Sequence, residues 1–365
     1  PAPFRLYPPK GPLLSGSGGD VLVVSHDLSL TGAPINLFDA CKVMTDNGYF
    51  VVVCSPTDGP MRLRYQAAGI PVIVDALLLN QHESFYRFAK NFDRLFCNTI
   101  VTWPIVRQMK DAIDTIWWVQ EARIIEQFVI DPDCEQTLRE APTLAVLSDY
   151  SLRFIRRYNP RATKIYNSCV DITGQIPVSI LKPIRKRVVF SIIGSLEERK
   201  GQDILIDALS YLNAAELDKI EVRLIGRPHN PYFVKDLKDK AGNKEYIRIL
   251  GELSREECIR QIMDCDVMVS ASRDEPFSLV AAEAFCLSKP CIISENTGIA
   301  ELITDGVNGY IFKHEDPRHL ALKLRAVLDH HSRLAEIGQA ARKTYDEHLT
   351  IKIFGKKILD VLRPI

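Results

Sequence analysis

The chain has 365 residues, 46% of them hydrophobic and 25% charged, which is enough length and apolar content for two ordinary α/β domains with sizeable cores. Its 46 basic and 46 acidic side chains cancel to a formal net charge of zero, which removes the electrostatic case for a nucleic-acid partner. Nine cysteines make an odd number without CxxC spacing, and Cys54, Cys265, Cys286 and Cys291 sit in apolar runs, so they read as reduced core residues of a cytoplasmic protein, not as a disulfide framework or zinc site.

No apolar run reaches the roughly 20 residues needed to span a bilayer. The first stretch, 1–19, is rich in Pro, Gly and Ser, lacks the basic-then-apolar order of a signal peptide, and reads as a flexible lead-in. From Asp20 onward short apolar runs alternate with amphipathic stretches. Asp20–Ser25 (DVLVVS) is continuous and β-branched, as a buried parallel strand should be, and a helix follows from about Gly32 to Asn47, stopped by Gly48. Further strands are expected at Phe50–Cys54, Pro71–Asp75, Arg94–Asn98, Thr115–Val119 and Thr143–Ser148. This alternation predicts a doubly wound parallel sheet over 20–170.

The rhythm breaks in the Pro-containing, basic stretch 171–186, which reads as an inter-domain linker. It restarts with strands at Arg187–Ile193, Ile220–Gly226, Tyr246–Leu250, Asp266–Ser272 and Pro290–Ser294. A second Rossmann-like domain is therefore expected over 187–345, with an amphipathic C-terminal helix in 346–365 crossing back to the first. Two such domains imply a cleft between them, with ligands outside the carboxyl ends of the strands.

The strongest chemical signal is Ser270–Ser294 (SASRDEPFSLVAAEAFCLSKPCIIS). A strand end leads into a loop with Glu275 and Pro276, and a helix expected to open at Phe277–Ser278 carries Glu283 about two turns in. The backbone N–H groups of Phe277, Ser278, Leu279 and Val280 at that helix start form a site for a phosphate or a polar sugar edge. Glu283, set in the apolar sequence AAEAF, would be costly there without a task, and a carboxylate accepts from two vicinal hydroxyls, as a ribose offers. The second signal is Ser191–Leu209, where a strand ends at Gly194–Ser195 and the following loop carries Arg199 and Lys200, a guanidinium and a point charge suited to a diphosphate. The third is Ser25–Phe38, where His26 and the small-residue turn Thr31-Gly32-Ala33 precede a helix; it is not GxGxxG, so a nicotinamide dinucleotide is disfavoured. Asp131-Pro132-Asp133 matches D-x-D but reads as a surface turn or helix cap, not a metal site.

Together these segments resemble the retaining GT-B glycosyltransferases of family GT4. Glu275–Glu283 is similar to that family's E-x7-E motif, Gly194–Gly201 to its strand–loop–Arg/Lys–Gly motif, and Asn296–Phe312 to its Gly-rich segment beside the nucleotide sugar. The resemblance implies two Rossmann-like domains and the following roles. Glu283 would bind the ribose, Glu275 would sit at the transferred sugar, and Phe277, Ser278 and Leu279 would offer amides to sugar and phosphate. Arg199 and Lys200 would hold the diphosphate, with Gly194, Ser195 and Gly226 at the strand ends beside them. Leu250 and Gly251 would meet the base. His26, Thr31, Gly32, Ala33, Gln120 and Glu121 would face the acceptor. The chain departs from the family in two places: Ser195 stands where many relatives carry Arg, and Gln120-Glu121 where a His, often His-Glu, is usual.

The implied reaction is metal-independent transfer of a sugar, with retained configuration, from a UDP-, GDP-, dTDP- or ADP-sugar to a glycan or lipid-linked acceptor, in cell-surface polysaccharide or glycoconjugate synthesis. No cofactor is implied. Arg153, Arg156, Arg157, Arg161 and Lys164, with Phe154 and Tyr158, form a basic, aromatic helix and exit that suits peripheral contact with an anionic membrane face. Two rival readings are a non-catalytic glycosyltransferase-like subunit, which Gln120 favours, and a sugar-nucleotide epimerase of the same fold.

Overall fold

The computed structural model describes residues 4–11, 18–175 and 186–363, which form two compact units. Unit 1 contains residues up to Ser168 and again from Ile351; unit 2 runs from Cys169 to Thr350.

Unit 1 is built on an eight-stranded sheet: β1 (Phe4–Tyr7), β2 (Asp20–Val24), β3 (Phe50–Ser55), β4 (Val72–Asp75), β5 (Arg94–Asn98), β6 (Asp114–Val119), β7 (Thr143–Val146) and β8 (Thr163–Lys164), in the order β1-β4-β3-β2-β5-β6-β7-β8. All neighbours are parallel except β1, which runs antiparallel to β4. The chain winds outward from β2 through β3 to β4, then returns to the other side of β2 as β5, so the strand order reverses between β2 and β5. Val21–Val24 and Trp117–Val119 are fully buried because helices cover both faces of these strands, which explains their unbroken apolar sequence. The last helix, Ile351–Val361, packs on Gly32–Asp46; Gly355 lies there with its Cβ position 3.3 Å from Val43, and Phe354 stacks at 5.7 Å on Trp118.

Unit 2 has six parallel strands, β9 (Val188–Ile193), β10 (Ile220–Ile225), β11 (Ile247–Gly251), β12 (Val267–Ser270), β13 (Cys291–Ser294) and β14 (Tyr310–Phe312), ordered β11-β10-β9-β12-β13-β14. Here the order reverses between β9 and β12. The core joins the sheet residues Phe190, Ile192, Val222, Leu224 and Val269 to Leu205 and Leu209 of the helix Gln202–Leu209 and to Leu320 and Leu324 of Pro317–Asp329.

Three expected boundaries move. Phe4–Tyr7 lies inside the expected lead-in but forms an edge strand, since β4 offers an open edge of backbone donors and acceptors; residues 12–17 of that lead-in lie outside the described residues. Unit 2 begins at Cys169 instead of after the linker 171–186, because Cys169 N donates to Leu349 O (2.9 Å), Tyr345 Oη to Cys169 O (2.8 Å), and Arg342 pairs with Asp171 (2.8 Å). The part of the linker at 176–185 is outside the described residues. The return to unit 1 falls after Thr350, not at 346, because the helix Leu334–His348 belongs to unit 2. Among the described residues no helix is long and apolar enough to cross a membrane.

Candidate functional site

In unit 2 the loops after β9 and β12, the two strands at the reversal, run side by side. Arg273 N donates to Arg199 O (2.8 Å), and Arg199 Nη1 to Asp274 O (3.1 Å). Gly201 makes this approach possible: it has φ +66°, and a Cβ there would stand 2.1 Å from Ala271 O. Gly226 closes the neighbouring β10 end in the same way, with φ +156° and a Cβ position 1.8 Å from Gly194 O. Its N–H donates to Gly251 O (2.8 Å), so the ends of β9, β10 and β11 at Gly194, Gly226 and Gly251 are held together, with Leu250 partly exposed beside them. Ser195 Oγ donates to Glu197 Oε1 (2.7 Å).

The charged groups meet between these loops. The Glu275 side chain is 14% exposed, and its Oε2 receives Lys200 Nζ and, at 3.5 Å, Arg199 Nη1. Arg199 Nη2 also reaches Glu197 Oε1 at 3.0 Å. Burial pushes the Glu275 carboxyl up, but Lys200 and Arg199 outweigh it and hold the group below its ordinary range. The cations expected to stand ready for a diphosphate are thus compensated by Glu275 and Glu197, because the buried Glu275 carboxylate needs a counter-charge.

Glu275 itself is fixed from behind by the Gly-rich segment. Glu275 N donates to Asn296 O (3.2 Å), Gly298 N to Glu275 O (2.8 Å) and Ile299 N to Phe277 O (3.1 Å). After Pro276 and the buried Phe277 the helix starts at Leu279, later than expected, because Ser278 is its N-cap in a left-handed conformation (φ +90°). A non-glycine residue there is strained, and the turn redirects the chain into the helix. Ser278 Oγ accepts from Ala281 N (3.4 Å), and the first-turn N–H groups of Leu279 and Val280 lack an i−4 carbonyl within the helix.

Glu283 sits farther along that helix, 8% exposed. Its Oε1 is 2.5 Å from Arg255 Nη2, and its Oε2 is buried with no hydrogen-bond partner. Arg255 had not been singled out from the sequence; its only signal was its place in S-R-E-E, the start of a helix.

Unit 1 places its expected residues at the corresponding reversal. His26 follows β2, Thr31 is the N-cap of the helix that begins at Gly32, and Gln120 and Glu121 follow β6. Gln120 does not project a free amide. Asn36 Nδ2 donates to its Oε1 (3.0 Å), and its Nε2 donates to Asn98 Oδ1 (2.6 Å) and Ala33 O (3.4 Å). Asn98 Nδ2 adds a bond to Ala33 O (3.2 Å). The expected outward-facing sugar contact is in this structure an internal tie from β6 to β5 and to the Thr31-Gly32-Ala33 turn, because at 6% exposure the amide satisfies itself with buried neighbours. Glu121 Oε2 accepts from Ile100 N (2.9 Å) just after Thr99, which is strained at φ +74°, and burial pushes its carboxyl up to about 7. His26 has a buried Nδ1 without a partner, and burial lowers its pKa against the opposing pull of Asp27. A Cβ at Gly32 would meet nothing within 4 Å, so the turn borders open space. Asn36 and Asn98 escaped the sequence reading because a polar residue in an apolar helix or at a strand end does not announce its partner.

Asp131 caps the helix Pro132–Glu140 by accepting from Asp133 N (2.9 Å), and Asp133 pairs with Arg107, which accounts for the D-x-D match as a cap.

Two family models match successive parts of the chain: residues 178–344 match glycosyl transferases group 1, and residues 17–148 match glycosyl-transferase family 4. A D-inositol 3-phosphate glycosyltransferase of Geodermatophilus obscurus is 28% identical over 53% of this chain and 47% of its own length. The chain spans about half or less of the length of such curated relatives. The crystal structure of Anabaena Alr3699/HepE in complex with UDP aligns with TM-score 0.76 and 21% identity over 94% of this chain and 99% of that one. WaaG, a glycosyltransferase involved in lipopolysaccharide biosynthesis, aligns with TM-score 0.69 and 15% identity over 93% and 99%. The structural likenesses show the GT-B fold, and the two family models that match successive parts of the chain are both models of glycosyltransferases.

Proposed function

We propose that the chain is a glycosyltransferase of the GT4 type that transfers a sugar from a nucleotide-sugar donor, with retained anomeric configuration, to a glycan or lipid-linked acceptor. The observation that carries this reading is the strand-order reversal of unit 2, where Lys200, Arg199 and Glu275 converge between the loops after β9 and β12. Cations held by an acid can be exchanged to an incoming diphosphate. On donor binding, Lys200 and Arg199 turn from Glu275 to the phosphate oxygens, with the Leu279 and Val280 N–H groups at the same end. Glu275, released, faces the transferred sugar, Glu283 takes the ribose hydroxyls, and Leu250–Gly251 meet the base.

The bond from the anomeric carbon to the diphosphate oxygen breaks as negative charge grows on that oxygen. Fixed cations and amides stabilise it, so the leaving group asks for no metal. The acceptor oxygen then bonds to the anomeric carbon on the same face, and its proton passes to the departing diphosphate. Products are the glycosylated acceptor and a nucleoside diphosphate. In unit 1, His26 and the open turn Thr31-Gly32-Ala33 are the acceptor side, with Gln120 holding that turn through Ala33 O and Glu121 beside it holding Ile100 N. Synthesis of a surface polysaccharide or glycolipid, at the inner face of a membrane touched by Arg153, Arg156 and Arg157, fits this reading.

A thermal-shift panel of UDP-, GDP-, dTDP- and ADP-sugars, followed by donor hydrolysis and transfer assays, tests it. UDP sugars come first, since the Anabaena neighbour was solved with UDP. Glu283→Ala should weaken donor binding at least tenfold, about 1.4 kcal/mol; unchanged affinity in a folded variant defeats the ribose assignment. The internally satisfied Gln120 amide favours a second reading, a non-catalytic binding subunit. Nucleotide binding without turnover of any donor would decide for it.

A further inference from the structure

Arg255 has no task in the donor reading, yet it is the side chain that meets Glu283. A capping box fixes its backbone: Ser254 Oγ accepts from Glu257 N (3.3 Å) and Glu257 Oε2 from Ser254 N (2.9 Å), which sets Arg255 as the first residue of the helix Arg255–Asp264. From there the guanidinium reaches across to the neighbouring helix and covers one oxygen of a carboxylate whose side chain is only 10% exposed, while the Arg255 side chain itself is 61% exposed. The arrangement is asymmetric. Oε1 has a charged donor, and Oε2 is buried and bare. A single donor on a buried carboxylate leaves acceptor capacity that the protein does not fill, which points to a ligand bringing hydroxyl or amide donors.

We propose that Arg255 is a positioning residue for nucleotide binding: by gripping Oε1 it fixes the Glu283 carboxylate in place and leaves Oε2 for the vicinal hydroxyls of the donor's ribose. The inference rests on the ribose reading of Glu283. Without the guanidinium the Glu283 side chain loses the anchor that fixes its rotamer, and its two oxygens no longer meet a hydroxyl pair in one set geometry. The other groups that feel the Glu283 charge do not replace Arg255. Cys258, on the same helix, has its thiol pushed up by burial, and Cys169 is pushed up by its hydrogen bond with Cys286 and by burial, so both stay neutral. Glu283 in turn holds the Arg255 guanidinium firmly protonated.

The test separates this role from plain structure by asking about the hydroxyls. UDP, or whichever nucleoside diphosphate binds best in the panel, is titrated calorimetrically alongside its 2′,3′-dideoxy counterpart into wild type, Arg255→Ala, Arg255→Lys and Glu283→Gln. Wild type is expected to prefer the hydroxylated form by about tenfold or more. Arg255→Ala should bring that ratio close to one, by losing affinity for the hydroxylated form only, and Arg255→Lys should restore a substantial part of it. Glu283→Gln should collapse the ratio likewise, and Arg255→Lys added to it should change nothing further, which keeps the test alive if Arg255→Ala fails to fold. An undiminished ratio in folded Arg255→Ala overturns the positioning role and leaves the ribose reading intact, as does an equal loss for both forms. A wild-type ratio of one overturns the ribose reading, and the proposal with it.

Discussion

The two units share a plan, a doubly wound sheet whose strand order reverses once, but they finish the reversal with opposite chemistry. In unit 2 it holds charges: Lys200 and Arg199 against Glu275 and Glu197, within loops locked by Gly201 and Gly226. In unit 1 it holds neutral amides: Asn36, Gln120 and Asn98 bonded to each other and to Ala33 O. A paired charge keeps a long-range demand for an opposite charge and can trade one partner for another. A satisfied amide makes short, directional bonds and has little left to offer. The same topology thus presents one reversal as a cluster of paired charges and uses the other to stiffen a turn.

Four changes break or sharpen this contrast. Gly226→Ala should be the most damaging, because its Cβ would stand 1.8 Å from Gly194 O; a loss of about 3 kcal/mol or more is expected, read as a lowered denaturation midpoint for unit 2. Glu275→Ala should lower transfer turnover about 100-fold, which is about 3 kcal/mol of barrier, while affinity for nucleoside diphosphate stays level or rises, since the cations lose their competing acid. Initial rates and calorimetry read the two effects apart, and a rate near wild type would break the charge-exchange idea. Gln120→Leu strands the Asn36 and Asn98 amides and should cost unit 1 about 2 kcal/mol; a stability within a few tenths of wild type would show that the network is idle.

The smallest change depends on pH. Burial pushes Glu121 up to about 7 from its ordinary 4.5. The folded state therefore holds a proton that the unfolded chain has released, and this group's contribution to stability is full below about 4.5 and lost as pH rises through 7. Glu121→Gln keeps an acceptor for Ile100 N without the ionisation. It should gain about 1–2 kcal/mol on wild type at pH 8 and show little gain at pH 5, checked by denaturation midpoints at both values.

Much of the fold was legible because buried parallel strands are written as β-branched runs such as DVLVV and FVVVC, and glycines such as Gly48 and Gly201 punctuate them. The edge strand Phe4–Tyr7 was not, since its half-exposed residues lack such a run and it exists only because β4 offers an edge. At the site, Glu275, Glu283, Arg199 and Lys200 stood out as charges in apolar or strand-end settings. Arg255 did not, because a charged residue at a helix start is ordinary until a buried carboxylate is found opposite it.

By itself the sequence determined the succession of strands and helices, the glycines at turns that admit no side chain, and which charged residues fall after strand ends. These follow from local periodicity and backbone sterics, which act over a few residues. Only the tertiary structure decided the partners: Glu275 with Lys200 and Arg199, 75 or more residues away, Gln120 with Asn36 across 84, and Arg255 with Glu283. Pairing of that kind depends on which strand ends the reversal of strand order brings side by side, and on how much water that burial removes from each charge.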